Sequence, residues 1–444
     1  MKAPHYEVAI LHAVLTEGAA AEVFSKLDAS DFGVAYRDFF VIASELFERG
    51  LNPDFVSVMD EAERKGYEGF TDLANDIASS PKPQNVGDYC KELKRLAISR
   101  KLKDFAIQVQ HWASTEDPET AYEIVCDAVM KIRSDQKEDT LKVIDEVMVE
   151  SLKDIERRFE LGEDQFDGLS TGFKDVDDRW MGMKPGNLIL IPGRPGQGKT
   201  TFAMNICEHN ARQGESVLVF SLEMEAKELG DKTLASAGRI DFGRIMSGKM
   251  QEDDWPKLSS AVHCLKGKKL FIDDRHSLTI AEMRARAYEI KREHGLSLIM
   301  IDYLQLMTSK GDNRENEVAN LSRGLKGLAK ELGIPIMAVA QLNRKCEERK
   351  NKRPIPSDLR ESGALEQDAN IIAFVYRDDY YYDDSPLKGT AEIITGKGRA
   401  IEVGTDCLAW RGRYQRFDNL EYRPDVESVI EEQESGGKRN ARDF

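Results

Sequence analysis

Eight residues, Gly193-Arg194-Pro195-Gly196-Gln197-Gly198-Lys199-Thr200, spell the complete pattern G-x-x-x-x-G-K-S/T. The run follows the short apolar segment Asn187 to Ile191 and precedes a helical segment, so its context is strand, glycine-rich turn, helix. No other feature constrains the chain as strongly. Glycines let backbone N–H groups converge at a helix amino terminus, where the aligned peptide dipoles favour negative charge, and the product is a cradle for phosphates. Gly193 through Thr200, with Thr201 beside them, are the expected nucleotide contacts. Lys199 is expected to reach the β- and γ-phosphates of ATP and the Thr200 hydroxyl to bind Mg²⁺.

Such a loop needs a sheet behind it, an acid for the metal and a group that activates water, all at carboxyl ends of strands. From Asp167 onward, short β-rich runs alternate with helices: 187–191, 216–220, 269–273, 297–302, 335–340 and 370–376. This predicts an α/β domain with a mostly parallel sheet. Asp302 ends the apolar run Leu298 to Ile301 and is the expected metal-holding acid, with Asp273 and Asp274, which end another run, as the alternative. Glu223 follows Val217 to Phe220 and is placed to polarise water, although a solvated loop carboxylate reads the same way; Gln341 ends the run Met337 to Ala340, where it either senses the γ-phosphate or is an ordinary loop residue.

The first 133 residues read differently. Val8, Leu11, Val14 and Leu15, then Val34, Phe39, Ile42, Leu46 and Phe47, recur at helical spacing, and 86–111 followed by a second helix ending near Arg133 predicts an αα-hairpin. Residues 134–165 read as a linker. Within it Leu141, Ile144, Met148, Leu152, Ile155 and Phe159 fall on one helical face, which must be covered either by the chain's own carboxy-terminal domain or by a neighbouring subunit. The ATPase region then covers 166–424, and 425–444, with Glu431, Glu432 and Glu434 and no periodic apolar positions, predicts a disordered tail.

Composition narrows the classes. Hydrophobic residues at 41% and charged residues at 32% describe a soluble globular chain, no apolar run approaches a membrane span, and the first residues do not make a secretory signal, so a cytoplasmic setting is expected. The six scattered cysteines lack a CxxC pair, which speaks against a disulfide framework or a zinc ribbon. A net charge of −16 rules out a uniformly basic nucleic-acid coat and leaves local patches to decide. One such patch is 344–353, with six cations against two anions between the Gln341 tip and Ser357; it reads either as a track for nucleic acid or as a solvated loop.

Six segments together, GLSTGF at 168–173, GRPGQGKTT at 193–201, FSLEM at 220–224, LIMIDYLQLM at 298–307, AQLNR at 340–344 and SDLRESGALEQDA at 357–369, resemble the replicative hexameric DNA helicases of the DnaB type, which have a RecA-like core. The resemblance runs in consistent order from Gly168 to about Asn419. It implies that Glu223 is the catalytic glutamate, Asp302 the Walker-B acid and Gln341 the sensor linking nucleotide state to the DNA loops. It further implies that Lys397 and Arg399, in a K-x-R after a late strand, enter a neighbour's nucleotide site; on residues alone they read as two surface cations. The family commonly follows K-x-R with Asn-Gly, whereas this chain has Ala400-Ile401.

By the same resemblance Arg360, Glu361 and Gly363 contact the DNA backbone in the pore, 309–317 is a second pore segment, and the amino-terminal half forms a collar that meets primase. The implied activity is an ATP-driven 5′-to-3′ helicase acting on single-stranded and replication-fork DNA as a homohexamer, served by a primase and a helicase loader. Two rivals are a RecA-like recombinase filament and a P-loop ring ATPase that does not move on DNA. The all-α amino half and the DLRESG motif weigh against the first.

Overall fold

The computed structural model describes residues 3–16, 18–67, 69–81, 83, 85–115, 117, 121, 124–125, 144–161, 166–303, 314–399, 401–422 and 424–434. The chain divides into two compact units, Met1–Val143 and Ile144–Phe444, so the division falls inside the expected linker.

The first unit is helical, with helices Ala3–Thr16, Ala20–Lys26, Val34–Glu48, Phe55–Arg64, Phe70–Ala78 and Val86–Thr115 among its described residues. Asp54 accepts from Ser57 N at 2.7 Å and so caps the helix that starts at Phe55. The apolar positions that recur at helical spacing, among them Leu11, Val14, Phe39, Ile42 and Leu46, form one buried core. Glu7, buried, takes a hydrogen bond from Gly33 N at 2.9 Å and one from Arg100 at 2.6 Å, which ties the first helix to the long one. The long helix of the expected hairpin is present; the second, ending near Arg133, lies outside the described residues.

The second unit is built on one nine-stranded sheet. Its strands are β1 (Leu188–Gly193), β2 (Val217–Ser221), β3 (Leu270–Asp273), β4 (Leu298–Asp302), β5 (Ile336–Gln341), β6 (Ile371–Tyr376), β7 (Thr390–Gly398), β8 (Gly404–Arg411) and β9 (Arg416–Asn419), in the spatial order β3-β2-β4-β5-β1-β6-β7-β8-β9. The first six pair in parallel and the last three extend the sheet antiparallel. β1, β2, β4 and β6 are buried at every position, which is why each reads as an unbroken apolar run: helices cover both faces of the sheet. Core side chains alternate accordingly, Leu188 and Leu190 on one face and Ile189 and Ile191 on the other.

The linker stripe is exposed in the single chain. Ile144–Leu161 is a helix, and Ile144, Met148, Leu152, Ile155 and Phe159 are each more than half exposed, so the carboxy-terminal domain of the same chain does not cover them. Leu141 lies outside the described residues. At the other end, Val426–Glu434 is helical and Val429 is buried, which corrects the expectation of a structureless tail from residue 425 on. Val426, Val429 and Ile430 sit three and one apart, too short a series to register as periodicity. No helix among the described residues is long and apolar enough to cross a membrane.

Candidate active site

Parallel pairing sets Gly193 beside Gln341 and Ser221 beside Asp302, so the tips of β1, β5, β2 and β4 share one edge of the sheet. Loops leaving that edge enclose a cavity of about 600 Å³. Its walls include Pro195, Gly196, Gly198, Lys199, Thr200 and Thr201 from the glycine-rich turn and the helix Lys199–Gln213, with Glu223, Asp302 and Gln341 from the three neighbouring strand tips. Residues distant in sequence thus meet because their strands are adjacent in the sheet.

Two glycines are required by geometry. Gly198 caps the helix at φ 96°, and a Cβ there would stand 3.0 Å from Phe417 Cζ; at Gly196, φ 77°, it would stand 2.9 Å from Tyr380. Any side chain at either position would be both strained and crowded.

Lys199 is held ready. Its Nζ donates to the Arg194 carbonyl at 3.1 Å, and burial pulls the ammonium below its usual pKa against the opposite pull of Asp302 and Glu223. Thr200 Oγ1 donates to Asp302 Oδ2 at 2.8 Å, while Asp302 Oδ1 is buried with no hydrogen-bond partner among the described residues. Burial pushes the Asp302 carboxyl up to about 6, with the Glu223 charge adding to it and the Thr200 hydrogen bond opposing it. A half-buried hydroxyl paired with a buried carboxylate that keeps one unsatisfied oxygen is a donor set that suits a small hard cation. Glu223 lines the same cavity and is exposed, so its carboxylate can meet water.

The alternative acids are committed elsewhere. Asp273 pairs with Arg275 at 2.9 Å and Arg286 at 3.5 Å, and Asp274 accepts from Ala226 N at 2.9 Å. Within the loop itself, the side chains of Arg194 and Gln197 are engaged outside the cavity. Arg194 pairs with Glu347 and Leu342 O, and Gln197 Oε1 accepts from Arg377 N at 2.6 Å. Their expected contact with nucleotide is therefore through the main chain. Gly193 sits at the end of β1, where its own Cβ position is filled by Val375 O and Lys199. Met224 and Tyr303, from the segments 220–224 and 298–307, also line the cavity, as do Trp410, Gln415, Glu228 and Lys232, which belong to none of the segments singled out in the sequence. Trp410 and Gln415 come from the antiparallel end of the sheet, where only alternation along β8 hints at exposure.

Lys397 and Arg399 do not line this cavity. Ile371 pairs with Ile189 on one side and Gly398 on the other, so the K-x-R lies level with the start of β1. Four residues of strand, about 13 Å, separate that level from Gly193. Arg399 N donates to Asn370 O and Nη2 to Gln367 O, each at 3.0 Å, and Lys397 Nζ donates to Glu366 O and Gln367 O. Ala400 is outside the described residues; Ile401 packs back against the core.

The DnaB-like helicase C terminal domain model matches residues 168–419, and the DnaB-like helicase N terminal domain model matches 2–95. This chain belongs to the DnaB-like replicative helicase family. It is accordingly an ATP-driven DNA-unwinding enzyme. The replicative DNA helicase DnaB of Buchnera aphidicola subsp. Baizongia pistaciae is 40% identical over 412 residues, 89% of each chain; that of Pasteurella multocida is 39% identical over 95% of this chain and 94% of its own. The structure titled for a DnaB-like replicative helicase and its interactions with primase aligns at a TM-score of 0.75 and 30% identity, covering 94% of this chain and all of its own. A second solved structure, of an ATPase domain alone, is 37% identical with a TM-score of 0.61 and covers 64% of this chain and all of its own.

The segment that resembles the family's DNA-contacting motif forms a 3₁₀ helix, Pro356–Ser362, followed by the helix Gly363–Asp368. Gly363 is exposed, at the junction of the two helices; the side chains of Arg360 and Glu361 and most of 309–317 lie outside what the structure describes. The basic run 344–353 is less available to a nucleic acid than its charge implies. Arg349 makes a bidentate pair with Asp358 at 2.7 and 2.9 Å, and buried Arg353 makes another with Glu392 at 2.6 and 2.7 Å. Lys352 lies over the Tyr381 ring. Three of its six cations therefore hold the loop's own shape.

Proposed function

We propose that the chain works as one subunit of a homohexameric ring that translocates 5′ to 3′ on single-stranded DNA and unwinds duplex at a replication fork. The single observation that supports this reading is the placement of Arg399 at the end of the sheet opposite its own phosphate cradle, which leaves a second subunit's nucleotide as its natural partner.

The chain's residues divide the chemistry among them. The backbone of 193–201 binds the triphosphate and Lys199 counters its charge. Thr200 and Asp302 would hold Mg²⁺, which when bound would draw negative charge off the phosphates. Glu223 accepts the proton of the attacking water and Gln341 senses the γ-phosphate. Lys397 and Arg399 of an adjacent subunit stabilise the charge that develops on the transferred phosphoryl group. Arg360, Glu361 and Gly363 contact the DNA backbone without reading bases. The exposed linker stripe suits a neighbouring subunit, and a primase and a helicase loader are the expected partners.

The test is strand displacement by the purified protein with ATP and Mg²⁺. A forked duplex with a 5′ single-stranded tail should be unwound and one with only a 3′ tail should not. ATP-dependent DNA pairing without unwinding would favour the recombinase reading, and ATP hydrolysis without displacement of either substrate would favour a ring ATPase that does not move on DNA.

A further inference from the structure

Arg194 is the second cation of the phosphate loop, and it faces away from the phosphates. Its side chain is nearly buried, and its guanidinium holds Glu347 with two hydrogen bonds, 2.9 and 3.3 Å, and the Leu342 carbonyl with a third, 2.9 Å. A bidentate, shielded arginine–carboxylate pair is both strong and directional. We propose that Arg194 is a positioning residue that couples the nucleotide site to the DNA-contacting segment through its pair with Glu347. The inference rests on the roles given above to Lys199 and Arg360.

On the nucleotide side, the Arg194 carbonyl accepts the Lys199 ammonium at 3.1 Å. Phosphates in the cradle compete for that ammonium, so nucleotide changes what the Arg194 main chain is bonded to. On the other side, Leu342 directly follows Gln341, and its N–H donates to Gly193 O at 3.4 Å. Glu347 belongs to the 3₁₀ helix Arg344–Glu348 and also accepts from the Tyr381 hydroxyl at 3.1 Å.

From there the connection continues without a gap. Asn343 N donates to Asp358 O at 3.4 Å, and Arg349, two residues beyond Glu347, clasps the Asp358 carboxylate. Asp358 Oδ2 in turn accepts from Ile355 N at 2.8 Å at the entrance of the 3₁₀ helix Pro356–Ser362, which carries Arg360 and Glu361. Chain continuity, hydrogen bonds and ion pairs thus join the lysine that meets phosphate to the helix that meets DNA, and of these residues Arg194 alone belongs to the phosphate loop and also grips the 342–349 segment by its side chain.

The experiment measures coupling in both directions on the assembled protein, using ATPγS and an oligothymidylate. Because linkage is reciprocal, the factor by which ATPγS changes oligothymidylate affinity must equal the factor by which oligothymidylate changes ATPγS affinity. In Glu347→Gln both factors should fall together, by about three- to tenfold, while ATP hydrolysis without DNA keeps the KM and kcat of the wild type. Arg194→Gln breaks the pair from its other half, and the double variant should lose no more coupling than Glu347→Gln alone. Undiminished coupling in Glu347→Gln overturns the proposal. So does a matching fall in DNA-independent hydrolysis, which would make the pair a brace for the phosphate loop. A wild type in which nucleotide and DNA have no mutual effect would overturn the functional reading itself, and the proposal with it.

Discussion

Lys199 and Arg399 stand at opposite edges of one sheet: Lys199 leaves the carboxyl tip of β1, whereas Arg399 leaves β7 level with the first residues of β1. Because β6 and β7 are antiparallel, each further residue of the K-x-R carries the chain away from its own cradle. If Arg399 acts in catalysis as proposed, the nucleotide it meets belongs to a second copy of the chain, because its own cradle lies at the other end of the sheet.

Glu223→Gln should keep nucleotide binding and slow hydrolysis by about 10²- to 10⁴-fold, because the amide cannot take a proton from water. Fluorescent-nucleotide titration and steady-state ATPase check the two halves of the statement. Lys199→Ala should lose both, since the phosphates lose their principal cation.

Asp302→Asn separates stability from activity. The folded-state pKa of Asp302 is raised, so the stability linked to its protonated form is present below the ordinary carboxylate range and is lost as pH rises through about 6. Without nucleotide, the variant should therefore be more stable than the wild type at pH 7.5, by an amount on the order of 2 kcal/mol, and the difference should shrink as pH falls toward about 4. Thermal melts at the two pH values decide it; hydrolysis by the variant should be lost at both.

The fold was legible where burial on both faces forces continuous apolar strands, as in Leu188 to Ile191 and Leu298 to Ile301. The site was legible where chemistry dictates a pattern, as in Gly193 to Thr200. Asp302 was already preferred over Asp273 from the sequence, and the pairing supplies the physical reason: β4 lies between β2 and β5, whereas β3 is at the edge. Trp410 and Gln415 were invisible because an antiparallel hairpin brings them to the cavity from over 200 residues away without any shared spacing. The basic run 344–353 stayed ambiguous for a related reason: composition counts cations, while Asp358 and Glu392, which neutralise two of them, come from outside the run.

Arg353→Ala should destabilise the carboxy-terminal domain by about 3 to 5 kcal/mol, because it leaves Glu392 buried without its partner. Denaturant unfolding measures this. The companion change Glu392→Gln should cost less, since a neutral amide can still accept from Arg353.

Arg360→Ala should weaken binding to single strands of any sequence alike and reduce the slope of log affinity against log salt by about 1. Binding isotherms at several salt concentrations, on homopolymers of different base, provide the check. A loss confined to one sequence would indicate base readout instead.

The most direct measurement mixes two nearly inactive proteins. Arg399→Ala keeps its own cradle and lacks the residue offered to a neighbour; Lys199→Ala lacks the cradle's cation and keeps that residue. Under conditions where subunits exchange, some interfaces combine the intact cradle of the first with the intact Arg399 of the second, and ATPase should partly recover. Demonstrated mixed rings with no recovery would contradict a site shared between subunits.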